Sequence, residues 1–194
     1  MPSIESSTEN SPRPAATLSG GASEHSQIAN LKSRIERTLA YRRLWVLAVI
    51  VFALDQATKL WINARLPFGS YGAGSGIEIF PNFFYLVHVG NTGAAWSMFS
   101  GASLWLGLLA LGTLAAIFYW RQQLGLRSRS AQGAFGLLCG GIVGNLVDRL
   151  AHGHVIDFLD FHFGSYVYPT FNVADSGICI GVILYIWHSL RHPE

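Results

Sequence analysis

The sequence predicts an α-helical membrane protein: four transmembrane helices, a small outward-facing β-rich cradle, and both termini in the cytoplasm. Three observations carry this expectation. Of 194 residues, 51% are hydrophobic and 12% charged, about half the charged fraction usual in soluble domains. Four apolar segments are long enough to cross the hydrocarbon, which takes about 20 residues with roughly 17 as the lower limit. Lys and Arg are spread unevenly between the connections. The 21 glycines and six tryptophans fit the same environment, where both types are enriched. So few charges could not cover a soluble enzyme, and a net charge of +2 is too small to argue for nucleic acid.

Residues 1–27 are rich in Ser, with Pro12, Pro14 and scattered Glu, and lack apolar periodicity. Such a segment buries too little to offset its ordering entropy, so a disordered polar tail is expected. No secretory signal is expected either, because the first apolar run begins only after about forty polar residues. Over residues 28–43 the pattern changes. Ile28, Leu31, Ile35 and Leu39 form a helical stripe beside Lys32, Arg34, Arg37, Arg42 and Arg43, the pattern of a basic amphipathic helix on an anionic membrane surface. The bland alternative is an extended start to the first span.

The four spans are Leu44–Ile62, Ser103–Trp120, Ala131–Val147 and Asn172–Leu190. Ten Lys and Arg lie before the first span, in the Arg121–Ser130 connection, or at the C-terminus. Only Arg65 and Arg149 lie in the other two connections, and Lys59 falls within a span. The positive side is cytoplasmic, so residues 191–194 form a cytoplasmic end, and Asn63–Ala102 and Asp148–Phe171 face outward. In the first outward segment Gly69, Gly72, Gly74 and Gly76 mark turns, and Ile77–Phe80 and Phe83–Val89 read as short strands. The second carries Phe158, Phe161, Phe163, Tyr166, Tyr168 and Phe171, expected at the lipid headgroups.

All five aspartates, Asp55, Asp148, Asp157, Asp160 and Asp175, lie in the spans or the outward segments. An ionisable residue inside a span costs at least about 2.5 kcal/mol unless it meets a cavity or a partner. Asp55 and Lys59, spaced i, i+4, can pair directly, which makes a structural or orienting role the expectation. Asn145, Asp148 and Arg149 share one polar face of the third helix, as interhelical glue or as substrate-orienting groups.

Asp157 follows the third span and Asp175 lies in the first turn of the fourth, so a folded-back loop can bring them together. Two carboxylates sharing a site cannot both ionise easily. The charged one can then take a proton from water while the neutral one hydrogen-bonds a carbonyl. Position alone leaves Asp148 or Asp160 as equal candidates for the pair. A rival grouping of His152, His154, Asp157 and His162 has residue types that suit zinc. Cys139 and Cys179 read as small apolar packing residues without a neighbouring base.

A second function class is a small transporter or channel using these aspartates as an ion or proton relay. A relay needs acids spread through the membrane depth. Asp148, Asp157, Asp160 and Asp175 instead cluster at the outer face.

Five runs extend this reading: Asp55-Gln56-Ala57-Thr58-Lys59, Asn91-Thr92-Gly93-Ala94-Ala95-Trp96, Gly140 to Arg149, Gly153-His154-Val155-Ile156-Asp157-Phe158, and Phe171-Asn172-Val173-Ala174-Asp175-Ser176. In this order they resemble the lipoprotein signal peptidases, the type II signal peptidases of bacteria, over about Leu44 to Leu190. The resemblance implies a four-helix membrane peptidase domain over residues 44–190. It also implies an aspartic endopeptidase of the inner membrane that cleaves diacylglyceryl-modified prolipoproteins before the lipidated cysteine, near the outer face. It assigns the catalytic pair to Asp157 and Asp175, and supporting or substrate-binding positions to Asp55, Lys59, Asn91, Gly93, Asn145, Asp148, Arg149, Asn172 and Ala174. The outward Asn63–Ala102 segment resembles the family's periplasmic cradle. No metal or other cofactor is implied. Membrane lipid is an expected partner, nucleic acid is not, and a monomer is the expected state. The long tail before Leu44 departs from the family pattern.

Overall fold

The computed structural model describes residues 40–191, apart from 73, 95 and 97, together with Gln27, Ile28 and Leu31. The expected disordered tail and most of the amphipathic segment lie outside the described residues, as does the end of the chain after Arg191. Gln27, Ile28 and Leu31 are helical and exposed.

From residue 40 onward the elements run α1 (Arg42–Arg65), β1 (Ile77–Phe80), β2 (Phe84–Asn91), α2 (Ser103–Tyr119), α3 (Arg129–His152), β3 (Val155–Phe163), β4 (Tyr166–Val167) and α4 (Val173–Arg191). Among the described residues three helices, α1, α3 and α4, are long and apolar enough to cross a membrane, whereas α2 is apolar but only 17 residues long. Large apolar side chains cover the outside: Val49, Leu60, Leu104, Trp105, Ile183 and Leu190 are each more than half exposed. Asp55, Lys59, Asn145, Asp148 and Asn172 are buried between the helices. An exterior of this kind is stable against hydrocarbon and costly against water, so the chain is a membrane protein carrying a small β-sheet.

The two ends of α3 have local causes. The Ser128 side chain accepts the Ala131 N–H at 3.1 Å and caps α3, a bond that satisfies an otherwise unpaired first-turn donor. At the other end Gly153 takes φ +76°, the left-handed conformation that lets a helix stop and turn sharply. That turn sends the chain directly into β3. Where α3 meets α1 the helices approach closely, and a methyl on Gly144 would stand 2.5 Å from Asp55 Oδ2. The absence of a side chain there leaves room for the buried carboxylate.

The sheet is antiparallel in the order β1-β2-β3-β4. β1 lies where expected, and β2 runs on to Asn91. An irregularity between Leu86 and Val89 gives β2 one extra residue opposite β3. His88, in that stretch, pairs with Ser70 and places Nδ1 2.9 Å from the Leu66 carbonyl. One face of β3 buries Ile156 and Phe158 against Ile62 and Leu66 at the end of α1. The strands β3 and β4 are a correction, since that segment was expected only as a belt of aromatics. Phe158 is buried, and Phe161 stacks on Phe84 at 4.4 Å; Phe163 and Tyr166 are exposed.

Candidate active site

Three of the candidate residues form a buried ionic knot. Lys59 Nζ lies 2.7 Å from Asp55 Oδ2, 2.8 Å from Asp148 Oδ2 and 3.0 Å from Asn145 Oδ1. The i, i+4 pair expected on α1 is therefore a triad that joins α1 to α3. Gln56, which sequence reasoning passed over, adds bonds to both carboxylates and to the Gly144 carbonyl. Charges this deep persist only when mutual attraction and further hydrogen bonds offset their lost hydration, and both conditions are met. The knot also reaches the other elements. Asp55 Oδ1 accepts the Ala174 N–H at 2.9 Å, and Asp148 Oδ2 accepts the Ile156 N–H at 3.0 Å. One ammonium thereby ties together α1, α3, the first turn of α4 and the start of β3.

Above the knot, Asp157 on β3 and Asp175 in the first turn of α4 line one cavity of ≈ 300 Å³. Asn91 and Asn172 donate to the two oxygens of Asp157, at 3.0 and 2.7 Å. Asn145 donates to Asp175 Oδ1 at 2.7 Å, and the other Asp175 oxygen is held at the start of the helix. Burial, then the neighbouring Asp175 charge, push the Asp157 carboxyl up to about 7, against the amide donors that favour its ionised form. A carboxyl in that range can hold or release a proton near neutral pH.

The remaining candidates close the wall. Gly93 donates its N–H to Asn91 Oδ1 at 2.9 Å, and its carbonyl accepts from Arg149 Nη2 at 3.1 Å. Arg149 Nε is buried without a hydrogen-bond partner, in a residue that lines the cavity. Asn91 and Asn145 direct their amides at the aspartates, and the other Arg149 nitrogens donate to the Asn145 and Gly93 carbonyls, which leaves Nε–H as a buried donor available to a ligand. Trp96 and Tyr168, 6.4 Å apart, also line the cavity. So does Cys179, which is exposed on α4 and not the packing residue the sequence suggested. It lies one turn beyond Asp175, a spacing that could have flagged it.

The competing carboxylates are engaged elsewhere: Asp148 belongs to the knot, and Asp160 Oδ2 lies 2.9 Å from His162 Nε2. Among the described residues no three His, Cys, Asp or Glu side chains are grouped to hold a metal ion. The His152 and His154 rings lie 6.0 Å apart, whereas His162 pairs with Asp160.

The signal peptidase (SPase) II family matches residues 47–191, a stretch that includes every residue of the knot and the cavity named above. The chain belongs to the signal peptidase II family. The lipoprotein signal peptidase of Aeromonas hydrophila is 42% identical over 157 residues, covering 79% of this chain and 90% of that one. That of Vibrio vulnificus is 35% identical over 167 residues, covering 84% and 96%. A solved bacterial membrane enzyme, determined by the in meso method, shares 34% identity with a TM-score of 0.67, covering 75% of this chain and 86% of its own. As a member of the signal peptidase II family the chain is a multi-pass membrane protease, and a relay or channel is not favoured.

Proposed function

We propose that the protein removes signal peptides from prolipoproteins by aspartic chemistry, cleaving before a diacylglyceryl-modified cysteine. The observation that carries this reading is the meeting of Asp157 and Asp175, from different elements, on one cavity. In this reading Asp157, whose carboxyl burial and its neighbour's charge raise to about 7, is the member that carries the proton, and Asp175 serves as the carboxylate.

The Asp175 carboxylate takes a proton from water, and the oxygen attacks the scissile carbonyl while Asp157 protonates the carbonyl oxygen. Collapse of the tetrahedral intermediate breaks the C–N bond. Asp157 recovers a proton from the diol, and the proton on Asp175 passes to the departing cysteine amine. Both carboxyls return to their starting states, as general acid–base catalysis requires. The buried Arg149 Nε–H is offered to a backbone carbonyl of the substrate. The knot of Asp55, Lys59 and Asp148 holds the first turn of α4 and the start of β3, and so positions the pair without touching the reacting atoms.

Four helices cross the bacterial inner membrane in this proposal, with α2 at the lower length limit of roughly 17 residues. The excess of Lys and Arg before α1 and between α2 and α3 puts both termini in the cytoplasm, and the cavity then opens near the outer face. Residues 44–190 form the peptidase domain, preceded by the polar tail and the amphipathic segment.

Cleavage of a diacylglyceryl-modified prolipoprotein by purified wild type, Asp157→Asn and Asp175→Asn tests the chemistry. Each variant should lose activity by a factor of at least about 10² to 10⁴ while keeping the wild-type unfolding temperature. Substantial turnover by either removes that residue from the pair.

A further inference from the structure

A second cavity, of ≈ 410 Å³, lies between α1, α2 and α3. Its wall is almost wholly apolar, with Leu44, Phe52, Ile117 and Val143 among its members, and two polar residues, Tyr41 and Arg121, stand at one end. On α3 it uses Cys139, Gly140 and Val143, whereas the candidate active site uses Asn145 and Arg149. At 100° per residue these two sets lie about 150° apart around the helix. A substrate seated at the aspartates therefore does not fill this groove.

Its dimensions point to a lipid. From Tyr41 to Phe52 the groove follows α1 for about 17 Å, close to half of the roughly 30 Å hydrocarbon core. That is the depth of one leaflet. At its polar end the Arg121 guanidinium is fixed by a bond from Nη1 to the Phe118 carbonyl at 2.8 Å and sits 4.8 Å over the Phe118 ring. Among the described residues Arg121 has no ion-pair partner. Arg42 and Arg43 open α1 at the same end. A fixed cation with no acidic partner, at the mouth of an apolar slot one leaflet deep, is complementary to a phosphate that carries acyl chains.

We propose that this groove binds one anionic phospholipid of the cytoplasmic leaflet, an acyl chain lying in the slot and the phosphate at Arg121. The leaflet rests on the orientation proposed above, and the binding itself does not.

The test uses the full-length protein in vesicles of phosphatidylcholine and phosphatidylglycerol in equal parts, released intact into a mass spectrometer. The wild type should retain one phosphatidylglycerol with about fivefold preference over phosphatidylcholine, the effect of one cation at an anionic headgroup. Arg121→Gln should retain a lipid without that preference. Val49→Trp, which enlarges an exposed residue lining the slot, should retain none. Both variants should cleave substrate at the wild-type rate. Equal retention of the two lipids by wild type, or an unchanged preference in Arg121→Gln, overturns the proposal. So does lipid retention that appears only after removal of residues 1–39, or only in a monomer released from a dimer, since the slot would then be filled by the chain itself. Labelling of Ser130→Cys, made in a protein whose free cysteines are replaced by Cys139→Ala and Cys179→Ala, by a membrane-impermeant maleimide reads the orientation separately. Labelling from outside overturns the leaflet assignment and leaves the lipid measurement to stand.

Discussion

Asn172 and Asp175 cap each other. The Asp175 N–H donates to Asn172 Oδ1 at 2.9 Å, and the Asn172 N–H donates back to Asp175 Oδ2 at 3.2 Å. This is a capping box made from Asn and Asp. The orientation of the Asp175 carboxylate is thus part of how α4 begins. Because Asn172 Nδ2 also donates to Asp157, one side chain serves the helix start and both members of the proposed pair.

Asn172→Ala should therefore cost twice. Loss of a cap costs about 0.5–2 kcal/mol, read as a lower unfolding temperature. Displacing the carboxylates by about 1 Å should lower kcat by something like 10²-fold, with little change in KM. Wild-type kcat in this variant would show that the bridge does not position the pair.

The pH profile follows from Asp157. Its carboxyl is raised to about 7, so it is protonated below that pH and lost as general acid above it. Cleavage should fall on the alkaline side with a midpoint near 7. The Asn91 amide favours the charged form, so Asn91→Ala should carry the midpoint to higher pH. A midpoint that stays fixed in Asn91→Ala, or moves to lower pH, would contradict the assignment of that limb to Asp157.

Lys59→Met should unfold far more easily than wild type. Lys59 is 2% exposed and Asp55 fully buried, and removing one partner of a buried ion cluster typically costs about 3–5 kcal/mol. Denaturation in detergent measures this. An unchanged midpoint would mean that the knot is not structural.

The lipid on the substrate should be required. A free peptide would have to carry unsatisfied backbone groups into hydrocarbon. A diacylglyceryl cysteine arrives already anchored, each buried methylene contributing about 0.8 kcal/mol. One prolipoprotein assayed with and without its diacylglyceryl group should be cleaved only in the first form, and equal rates would defeat the anchoring argument.

The helices were legible because long apolar runs announce themselves by length and composition alone, and their ends differ by a few residues. β3 was not. In Val155–Phe163 both faces are largely covered, so Ile156, Phe158 and Asp160 on one face and Val155, Asp157 and Leu159 on the other show no alternation of polar and apolar. Asp55 and Lys59 declared their pairing by spacing, but Asp148 completes it from 89 positions along the chain from Lys59, a contact no local pattern carries. Asp157 and Asp175 stood out from Asp148 and Asp160 only through a family resemblance. In the fold the other two are taken up by Lys59 and by His162.

Ile156 and Phe158 point beneath the sheet and Asp157 faces the cavity, so the chemistry of β3 is encoded as parity. Adding or deleting one residue between Gly153 and Asp157 would invert that parity, swinging the carboxylate into the apolar side and presenting Ile156 or Phe158, respectively, to the scissile bond. The bond from the Ile156 N–H to Asp148 locks the count. The length of this short link is therefore as strict a requirement as the identity of Asp157 itself. Elsewhere in the outward loops the reverse should hold, with insertions tolerated wherever no strand must keep step.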